Sequence, residues 1–191
     1  MADPSYIVDG VLTDGEAWVG LATTTVAGTS TATVTFTSPD DGSSTDWSQF
    51  MDLVLICHAA GEAVGGSNAS YVRFNSDTAS NYDYQWFYGY GGSVTAASGT
   101  TNLMYCDAAL GTASPQPWGA GVFTMFDINS GKWKSTQTQV GGEQATVGMT
   151  ALYTGTWKSQ AAVNRIDIAC GFDYLPGSMF SLFGILPRMV T

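Results

Sequence analysis

Hydrophobic and polar residues alternate along most of this 191-residue chain. The clearest example is residues 30–37, where Ala32, Val34 and Phe36 alternate with threonines. A period of two residues is typical of a strand that packs one face on a core and turns the other to water. About ten such stretches recur between turn residues, and no stretch carries a convincing amphipathic helical period. The pattern predicts an all-β fold, an antiparallel β-sandwich that is jelly-roll-like.

Residues 71–90 are the stretch around which we expect the sandwich to be organised. The sequence indicates a strand over 71–74, a polar loop over 75–83 and an aromatic strand over 84–90. Side chains of Asn, Asp, Ser and Thr in such a loop hydrogen-bond the local backbone. Strand, loop and strand together predict one long hairpin-like unit.

Other segments also carry definite predictions. Residues 51–60 form the most continuously apolar run and are predicted to lie at the centre of a sheet. Asp46 is placed to cap one helical turn. Residues 91–101 are predicted to be a flexible loop. Gly141-Gly142 is predicted to end the strand over residues 132–140.

The chain divides into a single domain with two short ends. Residues 1–16 show little periodicity and are predicted to be an N-terminal arm; residues 17–185 form one β-sandwich domain, and residues 186–191 form a C-terminal tail. Arms that become ordered on binding can contact a partner protein. The residues expected in such contacts are Tyr6, Ile7, Val8, Pro187 and Arg188.

Composition points to a surface rich in hydroxyl groups. Only 12% of the residues are charged, about half the usual share, while 45% are hydrophobic and 23 are glycine. Such surfaces are common where neighbouring subunits cover much of a protein, although a secreted sandwich can look similar. The net charge of −10 and the lack of a basic cluster argue against binding to nucleic acid or to an anionic membrane.

The cysteines and the chain start give further expectations. Cys57, Cys106 and Cys170 are widely spaced in apolar runs, lack zinc-like spacing, and are predicted to be reduced core residues. No signal-peptide pattern is visible, and the apolar runs are too short to span a bilayer, so we expect synthesis in a cytoplasm.

The polar residues do not form a recognisable catalytic pattern. No spacing singles out a pair of carboxylates for glycoside hydrolysis, and Asp127, Asp167 and Asp173 are expected to cap turns or face solvent. The only histidine, His58, has no evident catalytic partner and is expected to be structural or to lie in an interface. We expect no enzymatic activity, no cofactor and no metal site.

Two polar or aromatic groups each allow two interpretations. The set Asn75, Asp77, Asn81 and Asp83 resembles a calcium loop in composition but lacks the spacing of an EF-hand, which favours bonds to the loop's own amides. The strand over 84–90 places aromatics on both faces. Those of one parity either pack in the core or stack on a sugar. They are Trp86, Tyr88 and Tyr90.

Several short motifs occur in a fixed order over residues 18–185. A Thr-rich strand precedes a D-L-V-L strand that begins at Asp52. The later blocks are an RFN-x-D-x-x-x-NY motif, an F-D-I block, a T-G-x-W block and a G-S-x-F-S-L-F-G-I ending. In this chain they are Arg73, Phe74, Asn75, Asp77, Asn81 and Tyr82, then Phe126 to Ile128, Thr154 to Trp157, and Gly177 to Ile185. In this combination the chain resembles a family of small structural proteins of tailed bacteriophages.

The resemblance implies a jelly-roll-like β-sandwich protein of the virion, often trimeric, located on the capsid surface or in the tail. The chain departs from the family pattern in its acidic N-terminal arm and in the residues after Ile185. We expect a capsid decoration protein that binds the major capsid protein and itself, as a homotrimer, and bridges neighbouring shell subunits.

Two alternatives remain beside this expectation. One is a tail or fibre-tip module that recognises a host glycan through the aromatic strand or the loops. The other, a glycan-processing enzyme, has the least support because no pair of acids stands out. In each case we assign Arg73, Asn75, Asp77, Asn81 and Tyr82 to the support of the fold.

Overall fold

The computed structural model describes residues 7–8, 11–12, 18–62, 69–106, 109–110, 118–144 and 147–186. These residues form strands almost throughout. The strands are β1 (Ile7–Val8), β2 (Val11–Leu12), β3 (Trp18–Thr25), β4 (Thr31–Thr37), β5 (Asp52–Ala60), β6 (Ser70–Phe74), β7 (Tyr82–Tyr90), β8 (Ser93–Thr101), β9 (Met104–Tyr105), β10 (Ala109–Leu110), β11 (Gly119–Phe126), β12 (Lys134–Gln144), β13 (Val147–Trp157), β14 (Arg165–Tyr174) and β15 (Met179–Ile185). In the same residues, a 3₁₀ helix spans Trp47–Gln49, and Asp46 caps it by accepting the N–H of Ser48, as predicted.

The strands form two packed sheets of unequal width. The larger sheet has nine strands, eight of them in the order β3-β15-β5-β11-β12-β13-β7-β8, with β10 added beside β5. The smaller sheet has four strands in the order β4-β14-β6-β9, and β1 pairs only with β2. The chain crosses repeatedly between the two main sheets, and all pairs except β10–β5 are antiparallel. The predicted all-β, jelly-roll-like sandwich is confirmed.

The core lies between these sheets. Leu53 and Leu55 on β5 face Ile166 and Ile168 on β14, and all four side chains are fully buried. Burial of one such side chain contributes about 1.5–3 kcal/mol to folding. The cysteines are free and buried, as predicted. They are Cys57, Cys106 and Cys170.

The long apolar strand occupies the predicted central place. Strand β5 pairs with β15 on one side and with β11 on the other. The sequence of β5 is continuously apolar because both faces of the strand are covered at its start, where Val54 on one face is buried as fully as Leu53 on the other. Further along, Ile56 and His58 turn away from the core, and the His58 ring stacks on Trp118 with centroids 5.2 Å apart.

The prediction of a hairpin over residues 71–90 is wrong. Strand β6 belongs to the four-stranded sheet and β7 to the nine-stranded sheet, so the loop between them carries the chain across the sandwich. Asn75 and Ser76, with φ of 51° and 57°, turn the backbone out of the β6 direction. Alternation identifies the strands, but it does not tell which neighbour each strand pairs with.

Two predictions of strand ends are also wrong. Residues 91–101 are not a loop, because β8 pairs with β7 along its whole length after a two-residue turn at Gly91-Gly92. Strand β12 continues through Gly141-Gly142 to Gln144, since β13 pairs with every residue of it. The small uncharged residues of β8 show no hydrophobic alternation, so the sequence does not indicate a strand there. Gly141 and Gly142 lie inside β12, although glycine is more typical of a strand end.

The described residues contain no helix with the length and hydropathy that crossing a bilayer requires.

Two glycines of the sequence motifs lie where neighbouring groups approach the backbone closely. A Cβ built on Gly184 would lie 2.4 Å from the ring of Phe50. A Cβ on Gly155 would lie 2.1 Å from the sulfur of Met104 and 2.7 Å from the carbonyl oxygen of Asp83. Both positions therefore require glycine for packing.

We predict that Gly184→Ala lowers the free energy of unfolding by about 1–3 kcal/mol, because the buried Phe50 ring must move to admit the methyl group. Gly141→Ala is the matched control, since nothing lies within 4 Å of its added Cβ. Urea denaturation of both variants measures the difference. Equal stabilities would contradict the packing role of Gly184.

Candidate interaction surface

Asn75 joins the β6–β7 loop to the segment before β14. Its side-chain amide donates to the carbonyl of Ala162 at 2.7 Å, and its side-chain oxygen accepts the N–H groups of Asn164 and Arg165 at 3.0 and 3.1 Å. The left-handed backbone of Asn75 directs the side chain to these three groups, and asparagine adopts that conformation more readily than most residues. The position therefore suits asparagine for both its backbone and its side chain.

Asp77 is the centre of the same loop. One carboxylate oxygen accepts the indole N–H of Trp157 at 2.8 Å and the side-chain amide of Asn81 at 2.9 Å, and the other accepts the backbone N–H of Ala79 at 2.9 Å. Partial burial opposes ionisation of Asp77, but the donated bonds from Asn81, Trp157 and Ala79 outweigh it and lower its pKa. The carboxylate is thus held by protein donors on both oxygens.

The remaining motif residues also make local contacts. The hydroxyl of Tyr82 accepts the N–H of Phe74 at 3.1 Å and donates to the carbonyl of Asp77 at 3.2 Å. Burial raises the pKa of Tyr82 to about 12. Arg73 donates to the carbonyl of Asn102 at 3.1 Å and lies over the ring of Tyr71. These contacts are those that a structural role requires; the role itself remains a prediction.

The calcium-like composition of the loop does not assemble a cluster of acidic ligands. Asp77 faces protein donors, whereas Asp83 pairs with Lys158 at 2.7 Å on another part of the surface. Within the described ranges, no group of three or more His, Cys, Asp or Glu residues could hold a metal ion.

Two of the acids expected at turns or in solvent have different surroundings. Asp127 lies in a turn with a positive φ of 58° and is half-exposed, as expected. Asp167 is mostly covered and pairs with Arg165 at 2.7 Å, while Thr35 donates to it at 2.7 Å. Burial opposes ionisation of Asp167, but these partners lower its pKa. Asp167 therefore links β14 to β4 instead of facing solvent freely.

The aromatic strand β7 extends beyond the four-stranded sheet. Trp86, Tyr88 and Tyr90 lie on the inner face of this overhanging part and pack on one another, with centroids 6.5 Å and 6.2 Å apart. They are partly buried against a second, smaller cluster. Its buried members are Val140, Met149, Ala151 and Tyr153, and Tyr105 of β9 also packs against them. Both interpretations, packing and ligand contact, therefore apply to these half-covered rings.

The opposite face of the nine-stranded sheet, which we call the outer face, points away from the four-stranded sheet. A row of paired residues crosses eight strands there. From β3 to β8 it contains Thr23, Ser181, Ile56, Val122, Gln139, Leu152, Phe87 and Ala96. Ile56 and Val122 are each 40% exposed and Phe87 is 51% exposed, so apolar groups on this row meet water.

Parallel rows flank this central row on the outer face. The first contains Thr25, Met179, His58, Ala120, Gly141, Thr150, Gly89 and Val94, and the second Gly20, Phe183, Val54, Thr124, Gln137, Thr154, Gln85 and Ser98. Of these, Val54 is buried and adds nothing to the exposed surface. The three rows contain no Asp, Glu, Lys or Arg, and His58 is their one histidine. A protein with a net charge of −10 thus keeps a broad face free of carboxylates and ammonium groups.

The size of this face matches a protein contact. Strands lie about 4.8 Å apart and alternate residues about 6.8 Å apart, so three rows over eight strands cover roughly 40 Å by 20 Å, or about 800 Å². One partner in a standard protein–protein interface buries about the same area. The interior of such interfaces is depleted of charged residues, as this face is.

Sequence reasoning missed this face. Its signal is present in β5, where the apolar run includes Ile56 on the parity that the core does not use, and in β7, where Phe87 has the opposite parity to Trp86. The face emerges only when strands that are distant in sequence align in register, as Val122 and Leu152 do on either side of Gln139.

The predicted partner-contacting arms lie largely outside the described residues. Ile7 and Val8 form β1, and nothing is described of Tyr6, Pro187 and Arg188.

The start of the predicted C-terminal tail has a defined place. Leu186 is buried with Val19 and Phe50, so its side chain belongs to the packed body. 

Comparisons with family models, curated proteins and solved structures found no match.

We predict that Asp77→Ala lowers the free energy of unfolding by about 2 kcal/mol, because it leaves the N–H of the buried Trp157 without its acceptor. Denaturant unfolding followed by tryptophan fluorescence measures this change. Asp83→Ala is the control: it removes a surface ion pair with Lys158 and is expected to have a much smaller effect.

The structural assignment of the loop would be contradicted by an Asp77→Ala variant that keeps full stability. If the same variant also lost attachment to a partner, the loop would be a recognition site instead.

Proposed function

We propose that this chain is a non-enzymatic structural protein of a bacteriophage virion, and specifically a capsid decoration protein. In this role it binds the major capsid protein on the outer shell and bridges neighbouring shell subunits. It needs no cofactor, nucleic acid or membrane for this function.

The observation that carries the proposal is the uncharged outer face. A surface of about 800 Å² that mixes apolar, hydroxyl and amide groups suits burial against a flat protein surface. The exposed apolar side chains at its centre include Ile56, Val122 and Phe87. Exposed apolar side chains grouped on a face without carboxylates or ammonium groups are typical of a site that another protein covers.

The order of the sequence motifs supports the class of protein. The motifs extend from the Thr-rich strand β4 to β15, and they resemble those of structural proteins of tailed bacteriophages. A glycan-processing enzyme finds less support in the residues themselves. The carboxylates of Asp77 and Asp167 are already hydrogen-bonded or paired with protein donors.

The proposed mechanism is mechanical reinforcement by burial. A decoration protein that spans two shell subunits adds contact area that must be broken before those subunits separate. The net binding free energy is what remains of the favourable contact energy after the cost of lost translational and side-chain freedom is subtracted. Residues 1–16 would add to it by contacting the shell as well.

A second candidate function is recognition of a host glycan by a tail or fibre tip. The observation that favours it is the half-covered aromatic group on the overhanging part of β7, where Trp86, Tyr88 and Tyr90 share one face. Sugar rings stack on such side chains through their C–H faces.

We predict that the protein is present in purified virions in a copy number comparable with that of the major capsid protein. Quantitative mass spectrometry of particles from the phage that encodes the chain measures this ratio. A few copies per particle would favour the glycan-binding tail module, and absence from the particle would overturn both virion functions.

We also predict that Val122→Glu weakens attachment to capsids at least about tenfold, because it places an unpaired charge in the proposed contact. Thr33→Glu is the matched control, since it adds the same charge at an exposed position of β4 on the other sheet. Thermal melts of both variants verify folding. Equal attachment of the two variants would contradict the outer face as the shell contact.

A further inference from the structure

Strand β8 ends the nine-stranded sheet with an unprotected edge. It pairs with β7 at each of its nine residues without a register shift, and no described strand pairs with its other side. All of its side chains are exposed except those of Ala97 and Thr101, which are half-buried. Natural sheets usually protect a long edge with a charge, a proline or a bulge, and Ser93–Thr101 contains none of these.

The other edge of the same sheet is different. Strand β3 contains a bulge at Leu21, where Leu182 pairs with Ala22 and Phe183 pairs with Gly20. A bulge interrupts the spacing of hydrogen-bonding groups and increases the local twist, which discourages the addition of another strand. The sheet is therefore closed to addition at β3 and open to addition at β8.

The turn before β8 determines which backbone groups are free. Gly91 has a φ of 57° and Gly92 does not have a positive φ, as expected for a two-residue type II′ turn. In such a hairpin the residues flanking the turn, Tyr90 and Ser93, form a hydrogen-bonded pair, and bonded pairs then alternate along the ladder. The N–H and carbonyl groups that point away from β7 are those of Val94, Ala96, Ser98 and Thr100.

The outward-pointing N–H and carbonyl groups of one β8 match those of a second β8. When two β8 strands run antiparallel about a twofold axis at Ala97, Val94 meets Thr100 of the second copy and Ala96 meets its Ser98. These outward-pointing residues then form four hydrogen-bonded pairs, or about eight hydrogen bonds at two per pair. No side chain of either strand has to move from one face to the other.

Charge favours a second copy at this edge. Two chains of net charge −10 repel one another, and the repulsion is least where neither surface carries carboxylates. Strand β8 has no charged residue, and the one carboxylate that it contacts, that of Asp83 beside Thr100, is paired with Lys158. Pairing at β8 also joins the two outer faces into one continuous surface.

We propose that two copies of this chain associate through β8, antiparallel about Ala97, to form a dimer with one continuous sheet. The proposal does not depend on the virion function, because it concerns the isolated protein. The proposed twofold assembly differs from the trimer that the sequence resemblance implies, and the experiments below distinguish the two.

Cysteine cross-linking tests the pairing and its register. In the proposed dimer, the two Ala97 residues form a non-hydrogen-bonded pair with Cα atoms about 4.5 Å apart, within the range of a disulfide. Ala97→Cys is expected to give at least about tenfold more covalent dimer under mild oxidation than Ser98→Cys, whose two sulfurs lie on residues too far apart to bond. The cysteines already present are buried and do not interfere.

Native mass spectrometry of the unmodified protein supplies the second readout. A dimer that Ala96→Pro converts to monomer supports the proposal, because proline removes an outward N–H and leaves the bonds to β7 in place. Thermal melts verify that the variant is folded. A monomer at all concentrations, a trimer, or equal cross-linking of both cysteine variants would overturn it.

A different occupant is a distinguishable outcome. If the isolated protein is monomeric and Ala97→Cys cross-links only to a strand of the major capsid protein, the edge accepts a partner protein, and pairing with a second copy is wrong.

Discussion

The difference in width between the two sheets is the constraint on which the rest of the structure depends. A sheet of four strands covers only part of a sheet of nine, so the main core forms over β15, β5 and β11 and reaches only the ends of β13 and β7, at Trp157 and Tyr82. Strand β9 still reaches β13, where Tyr105 stacks on Tyr153 and Met104 lies against Gly155, whereas β8 is exposed. The overhang supports itself with its own aromatic cluster around Tyr153, and its last strand is exposed on both faces. A free edge and a broad uncovered face are direct consequences of this mismatch.

The distribution of charge follows the same division. The carboxylate of Asp77 accepts hydrogen bonds in the loop that crosses between the sheets, and that of Asp167 links β14 to β4. The outer face has hydroxyl, amide and apolar groups in their place. A net charge of one sign produces long-range repulsion between copies, whereas a neutral face allows close approach once a partner is correctly oriented. The acidic composition and the neutral face are therefore compatible parts of one surface.

The strands, the central place of β5, the buried cysteines and the Asp46 cap could be predicted from the sequence, because each depends on local alternation or on a side chain close in sequence. Strand β8 could not be predicted in this way. Its residues face solvent on both sides, so no alternation of burial selects for alternating polarity. The pairing partners of the strands could not be predicted from the sequence either. The polar loop after β6 could have closed a hairpin, but it crosses the sandwich because Asn75 bonds a segment almost ninety residues away. The outer face depends on those partners and was missed for the same reason.

The motif residues and the proposed contact surface are largely separate in space. Asn75, Asp77 and Tyr82 hold the crossing loop, while Gly155 and Gly184 admit the side chains of Met104 and Phe50. A resemblance built on such residues speaks first to the fold, because these positions are set by packing and by local hydrogen bonds. The proposed partner contact instead uses exposed residues such as Ile56, Val122 and Phe87, which the motifs do not include. Sequences with the same motifs can therefore share this sandwich and bind different surfaces, and the outer face is where such differences would arise.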